Sequence, residues 1–441
     1  MSNNTEKKFL TSFDKSYSSH IFFKRPDKYR EIERQTKNSE NLITSGSNYS
    51  YAPIGFEKNT LSIDFSSFNR ILDFNPVKQE ITVEAGLTIL ELLKFTLVHN
   101  MWLPQIPGYP FISLGGIVAT NSHGKSCDTY GTIRRAIKKI KLFHKTHGWL
   151  NLSENENKEI FELTIGGLGL TGTIVSITFQ LEKFEDISFY TDIEKVSSFK
   201  DCLKKISNSK GEPNLVYSWN RADDLKNFGK GYIFRNKMIK KKSTKKNSLE
   251  KIKKKKFKFP VKLWNKLSLN IVNNCFYKFQ DMKKQSFEED FVKVIFPYIG
   301  NEKYFKFFGP KGFFESQIII SKENSELFAD EFLSLFKKIK PTITLFSIKN
   351  ISGNQCYLRF ENNGICISFD FVNEKKNLFF LEQLDKLCIK YNGFPSIIKD
   401  SRLSKQTVIS CYPDYFEFKS KLLNFDKKRY YRSKISNNLD L

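Results

Sequence analysis

Residues 107–125 read PGYPFISLGGIVATNSHGK, and residues 165–172 read IGGLGLTG. Both are runs of glycine, small residues and hydroxyls set between apolar stretches that read as strands. A third such run, TSGSNYSY, occupies residues 44–51. Glycine lets a backbone approach a ligand closely, and successive backbone N–H groups can cradle a phosphate. Any one of these segments alone reads more often as a tight turn. Three of them within about 130 residues point to a large phosphate-containing cofactor. None is a strand–GxGxxG–helix unit with a later acid, and none is a Walker P-loop.

The flanking text supplies the scaffold. TLSIDF (60–65) and QEITVEA (79–85) alternate like a pair of strands around the turn FNPVK. Residues 88–99 place Ile89, Leu92, Leu93 and Leu97 on one helical face. Thr88 and Glu91 form a capping box at its start. Residues 104–124 read as irregular, 137–143 as a strand, and GTIVSITFQL as a strand leaving the third segment. Beyond about residue 185 the character changes to short strands and two clear helices. The helix at 324–339 is expected to bury Leu327, Phe328, Phe332, Leu335 and Phe336, and the helix at 376–391 Leu378, Leu381, Leu384 and Cys388. Strands such as GICISFDF lie between them. The pattern predicts an α+β architecture, with helices over one face of a sheet.

At 441 residues the chain suits two domains. Mean hydropathy is −0.42, and no run long and apolar enough for a transmembrane helix occurs. The polar opening residues lack a signal-peptide core. Seven cysteines without a CxxC spacing argue against a disulfide framework or a zinc site and fit a reducing cytoplasm. The net charge of +25 is uneven: residues 235–262 hold 14 Lys/Arg against the single acid Glu250. This block reads as a solvated loop or helix face. Followed by an amphipathic stretch at 260–279, it favours an anionic membrane surface over nucleic acid as partner.

The three glycine-rich segments, in this order and spacing, resemble the FAD-binding domain of the vanillyl-alcohol-oxidase / p-cresol-methylhydroxylase (PCMH) type. Within that type, LGGIVATNSHGK followed by GGLGLTG is most similar to the decaprenylphosphoryl-ribose 2′-oxidases. LTSFDKSYSSHIFFKRP (10–26), FFGPKGFFESQIII (307–320), NGICISFDF and IIKDSRLS (397–404) extend the likeness over nearly the whole chain. The resemblance implies a PCMH-type FAD domain of two α+β subdomains over residues 1–185. It implies a substrate domain on an antiparallel sheet over 186–392, carrying the basic insertion 235–262, and a return to the flavin domain at 393–441.

Residue by residue, the resemblance assigns cofactor contact to Gly46, Ser47, Asn48 and Tyr49 in the first loop. In the second segment it assigns Gly108, Tyr109, Ser113, Gly115, Gly116, Ala119, Ser122 and His123, and in the third Gly169 and Ile174. Lys399 and His123 take catalytic roles beside the flavin ring. Lys125, Gln317, Cys366, Ser368 and Lys399 face the substrate, and no metal is expected. The first loop departs from the family's G-x-G-R-S-Y-G-D, and Cys366, Ser368 and Ser396 stand where relatives carry other residues. Relatives that attach FAD covalently at the first loop use a histidine; none lies between His20 and His99, which implies non-covalent FAD.

The implied reaction is oxidation of a secondary alcohol of a sugar, a polyprenyl-phosphate pentose at its 2′ carbon. A partner keto-sugar reductase would complete an epimerisation, and a quinone or oxygen would accept the electrons. The expected location is cytoplasmic, peripheral on the inner face of the membrane. A sugar-lactone oxidase of the same flavin fold and a non-enzymatic polyanion-binding protein remain as alternatives.

Overall fold

The computed structural model describes residues 6–184, 187–209, 214–240, 249–254 and 261–441. Most of the lysine block, 241–248 and 255–260, lies outside the described residues.

The N-terminal part is built on two sheets. The first runs Glu6–Thr11, Ser18–Lys24, Leu61–Asp64, Leu42–Ser45, its last three strands parallel. The second is antiparallel, in the order Ile71–Asn75, Glu80–Glu84, Thr173–Gln180, Ile137–His144, Gly148–Ser153. The expected pairing of TLSIDF with QEITVEA is therefore corrected. Leu61–Asp64 is buried at all four positions, as a strand enclosed on both faces must be. It sits inside the parallel sheet, and the hairpin partner of Glu80–Glu84 is Ile71–Asn75. The Thr88–Glu91 capping box is present on the helix Ile89–Thr96. A short helix, Leu114–Ala119, interrupts the segment expected to be irregular; its glycines weakened the helical signal.

The remainder carries two four-stranded antiparallel sheets. One runs Asn214–Asn220, Gly231–Lys240, Ile187–Val196, Ser286–Glu289; the other runs Ile343–Ile351, Gly364–Val372, Phe313–Ile320, Phe394–Pro395. They meet at Ser218, whose hydroxyl accepts from Ile348 N–H (2.9 Å) and whose carbonyl accepts from Ser347 (2.7 Å). The helices Ser325–Ile339 and Lys375–Lys390 cover the apolar face of the second sheet. Leu327, expected inside on the first helix, is 58% exposed, and on the second helix Phe380, not among the expected core residues, is fully buried. The chain end returns to the first sheet: Leu42 N–H donates to Tyr430 O (2.7 Å), and Arg432 N–H to Leu42 O (2.8 Å).

Phenylalanine fills the second core. Phe369 stacks on Phe332 (4.8 Å) and on Phe346 (4.7 Å), and all three are fully buried. Large-to-small changes at such positions lose transfer energy and leave a cavity. Phe369→Ala is expected to destabilise the protein by about 3–5 kcal/mol, read as a shift of the urea unfolding transition.

Candidate functional site

The three glycine-rich segments converge. Thr44 and Thr173 share a hydroxyl hydrogen bond of 2.7 Å, tying the first loop to the strand that leaves the third. Leu168 N–H donates to Ala119 O (2.8 Å) and Gly166 N–H to Val118 O (2.9 Å), joining third to second. Ser113 Oγ receives Ser47 N–H at 3.4 Å, joining second to first. A Cβ on Gly46 would lie 2.0 Å from that same hydroxyl, so the two loops meet only because the side chain is missing. Asn48 takes the left-handed conformation (φ 56°), which asparagine tolerates. The N–H groups of Asn48 and Tyr49 find no acceptor among the described residues, and this leaves them available to a phosphate. Tyr49 packs edge-on against Tyr109 at 4.9 Å.

Other predicted contacts lie around this junction. Gly115 N–H donates to Ala85 O (2.7 Å). Gly116 faces Ser113 Oγ, Gly108 faces Ile295 O, and Gly169 is in the left-handed region beside Ile43. Ser122 is held by Thr120 through a 2.6 Å hydroxyl contact. Ile174 is 6% exposed and belongs to the apolar core, so its side chain serves packing.

Opposite stands one face of the sheet that holds Gly364–Val372. Side chains alternate along a strand, and the register puts Glu315 beside Asp370, Gln317 beside Ser368, and Lys349 beside Cys366 on a common face. Lys399 comes in from the C-terminal return. Its ammonium lies 3.5 Å from Glu315 and 3.7 Å over the Tyr51 ring. Lys125 donates to Val294 O (2.6 Å) and lies 3.7 Å over the Tyr217 ring. Lys349 donates to Gly124 O (3.2 Å), between His123 and Lys125. Cys366, expected to face the substrate, is fully buried beside Cys127 and Phe360. Burial pushes its thiol up to about 11.

Electrostatics follow from this crowding. Surrounding protein, then the charges of Lys349 and Lys399, hold His123 well below the usual histidine range, so its imidazole is neutral. Burial and Lys349 likewise push Lys125 well down. Burial and the Glu315 carboxylate raise Asp370 well above the usual carboxylate range. Tyr304 OH donates to Asp370 Oδ2 at 2.7 Å, whereas Oδ1 has no partner. Gln317 Oε1 and Ser396 Oγ are also buried without partners among the described residues. A glycine-walled cradle with free amides, next to unpaired buried polar atoms, fits a flavin dinucleotide and a polar substrate.

Sequence reasoning missed Lys349, Glu315, Asp370 and Tyr51. The available signal was a charge inside an otherwise apolar strand, as in ITLFSIKNI, FFESQIII and ISFDF; such a group must be paired or functional. Residues 249–254 of the basic segment differ from the expected solvated loop. Leu249 and Ile252 are buried in the N-terminal core, Lys94 pairs with Glu250 (3.1 Å), and Lys254 lies 5.1 Å over the Tyr49 ring.

Comparison with known proteins places this geometry. Residues 31–153 match the FAD binding domain family. Decaprenylphosphoryl-beta-D-ribose oxidase of Mycolicibacterium smegmatis is 23% identical over 84% of this chain and 83% of its own length. L-galactono-1,4-lactone dehydrogenase of Arabidopsis thaliana is 22% identical over 44% of this chain and 32% of its own. L-gulonolactone oxidase of Mus musculus is 25% identical over 27% of each. These matches set aside the non-enzymatic reading.

Gly124 tests the junction. A Cβ there would sit 2.2 Å from Ile106 O, a backbone atom that cannot swing away. Gly124→Ala must move His123 and Lys125, and displacements of this kind cost on the order of 10²-fold in rate. The expected result is that loss in flavin reduction measured by stopped flow.

Proposed function

The chain is an FAD-dependent oxidoreductase with a FAD binding domain at residues 31–153, and on that footing we propose that it oxidises a polyprenyl-phosphate pentose at its 2′ carbon. The product is the keto sugar, and a keto-sugar reductase completes an epimerisation. Residues 1–185 and 393–441 would hold the cofactor, and 186–392 the sugar. An acceptor of the quinone or oxygen type would take the electrons.

The observation that carries this reading is uncompensated positive charge. Lys125 and Lys349 stand together beside His123, and neither has a carboxylate partner among the described residues; burial and the Lys349 charge therefore push Lys125 toward its neutral amine, a cost that an anion beside the pair would remove. Enclosed charge of one sign calls for an opposite charge, and a substrate phosphate supplies it. The breadth of the likeness to the ribose oxidase, against the shorter lactone-enzyme matches, supports the same choice.

A flavin held by these segments would supply the acceptor for the hydride of the carbinol carbon. The neutral His123 accepts the hydroxyl proton. Lys399, steadied by Glu315 and Tyr51, keeps a positive charge where negative charge develops. Gln317 Oε1, without a donor among the described residues, receives a sugar hydroxyl.

The test is flavin reduction by a short-chain polyprenyl-phosphate ribose. Reduction by a sugar lactone and not by this compound moves the assignment to the lactone oxidases. The Lys349 charge disfavours protonated His123, so its removal raises the histidine pKa. Lys349→Gln should therefore shift the acid limb of the kcat/KM profile to higher pH. The absence of a first-loop histidine predicts that acid precipitation releases FAD into the supernatant; flavin retained on the polypeptide refutes non-covalent binding.

A further inference from the structure

The helix Lys266–Asp281 is turned the wrong way for a helix facing water. Its buried positions include Asn273 and Gln280, each 7% exposed. Asn273 donates to Asp223 (3.0 Å), so a polar bond joins the buried Leu269 in holding the inner face. The outer face carries Leu267, Ile271 and Phe279, followed by Met282, exposed by 73, 56, 57 and 86%. With Cys275, also exposed, the spacings are four, four, four and three, which is one stripe along a helix. Val261 and Leu263, just before the helix, are also exposed. An ordinary surface helix shows the reverse pattern.

Lysines border this stripe. Lys266 and Lys278 lie on the helix, and Lys283 and Lys284 follow it. Lys283 reaches over the Phe279 ring at 4.9 Å. The helix follows directly on the 235–262 segment with its 14 basic residues. An apolar stripe rimmed by lysines is the arrangement that lies in a lipid interface. We propose that this helix docks the enzyme on an acidic lipid surface, lying in the headgroup region without crossing it. No helix among the described residues is long and apolar enough to span a membrane. A second copy is a poorer occupant, because pairing the two faces would press two basic segments together.

The position of the helix connects docking to the site. Tyr217 and Trp219 are two residues apart on one strand and therefore share a face of its sheet. Tyr217 holds Lys125, and Trp219 packs on Phe276 of the helix at 4.3 Å. The helix that bears the stripe thus adjoins, through its inner Phe276, the wall of the candidate pocket. If the substrate is lipid-linked, which rests on the function proposed above, docking presents the pocket to the surface that holds it.

Co-sedimentation of the flavin-loaded enzyme with vesicles tests the proposal. Wild type should bind phosphatidylglycerol-containing vesicles at low salt, release as salt rises, and bind pure phosphatidylcholine weakly. The triple variant Leu267→Ser, Ile271→Ser, Phe279→Ser removes three side chains, each worth about tenfold in partition when fully buried. It should lose binding by more than tenfold while keeping wild-type flavin absorbance and sedimentation coefficient. Unchanged vesicle binding by the variant overturns the proposal. So does a wild type that ignores acidic vesicles, or a wild-type dimer that the variant splits, which makes the face a subunit interface. Vesicle binding needs no substrate, so its failure is separable from failure of the sugar assignment.

Discussion

The contact between Ala85 and Gly115 sets the frame of the N-terminal half. Gly115 N–H donates to Ala85 O at 2.7 Å, and a Cβ on Gly115 would stand 2.8 Å from that of Ala85. Ala85 N–H in turn donates to Val175 O at 3.0 Å, on the strand that leaves the third glycine-rich segment. One missing methyl therefore lets the second segment lie directly on the sheet that also carries the third. With Ser113 thus fixed two residues earlier, its hydroxyl can reach the first loop. Cofactor loops drawn from three distant stretches become one surface through backbone contact, which side chains would forbid.

The charge distribution answers to the same enclosure. Outside the site, buried ions are matched: Arg402 lies between Asp385 and Asp400, and Arg359 bonds Glu162. Inside it, Lys125 and Lys349 are not matched by carboxylates among the described residues, and Asp370 and Glu315 crowd each other at one register position. Unmatched charge in an enclosed place is costly unless a ligand completes it. The contrast between neutralised structural pairs and an unneutralised cleft separates site from scaffold without reference to any relative.

Much of this was legible in the sequence where the signal was local. The capping box at Thr88, the two long helices and the small-residue composition of the three segments depend on neighbours within a few positions. What depended on pairing was not legible. The alternation in TLSIDF looks the same whether the strand joins a hairpin or the middle of a parallel sheet. Lys349, Glu315 and Asp370 become site residues only once three strands, far apart in sequence, are set in register. Cys366 marks the converse limit: its strand is covered at all nine positions, Ser368 and Asp370 included, and alternation alone does not say which of them faces the site.

Coupling between the two halves comes from polar groups buried where they meet. Glu361 Oε2 accepts from Asn121 and from Thr132, both at 2.9 Å, and Arg359 donates to Ile165 O at 2.9 Å. Asn121 precedes His123 by two residues, and Ile165 opens the third glycine-rich segment. The loop carrying Arg359 and Glu361 joins the strands Ile343–Ile351 and Gly364–Val372, which bear Lys349, Ser368 and Asp370. Apolar packing across this boundary would tolerate sliding, because it is non-directional. Directed hydrogen bonds to a buried carboxylate and guanidinium do not, since breaking one partner leaves the other uncompensated. The same loop that clamps the glycine-rich segments therefore sets where the lysine and carboxyl groups stand against them, and the separation between the candidate cofactor and substrate groups is held by that clamp.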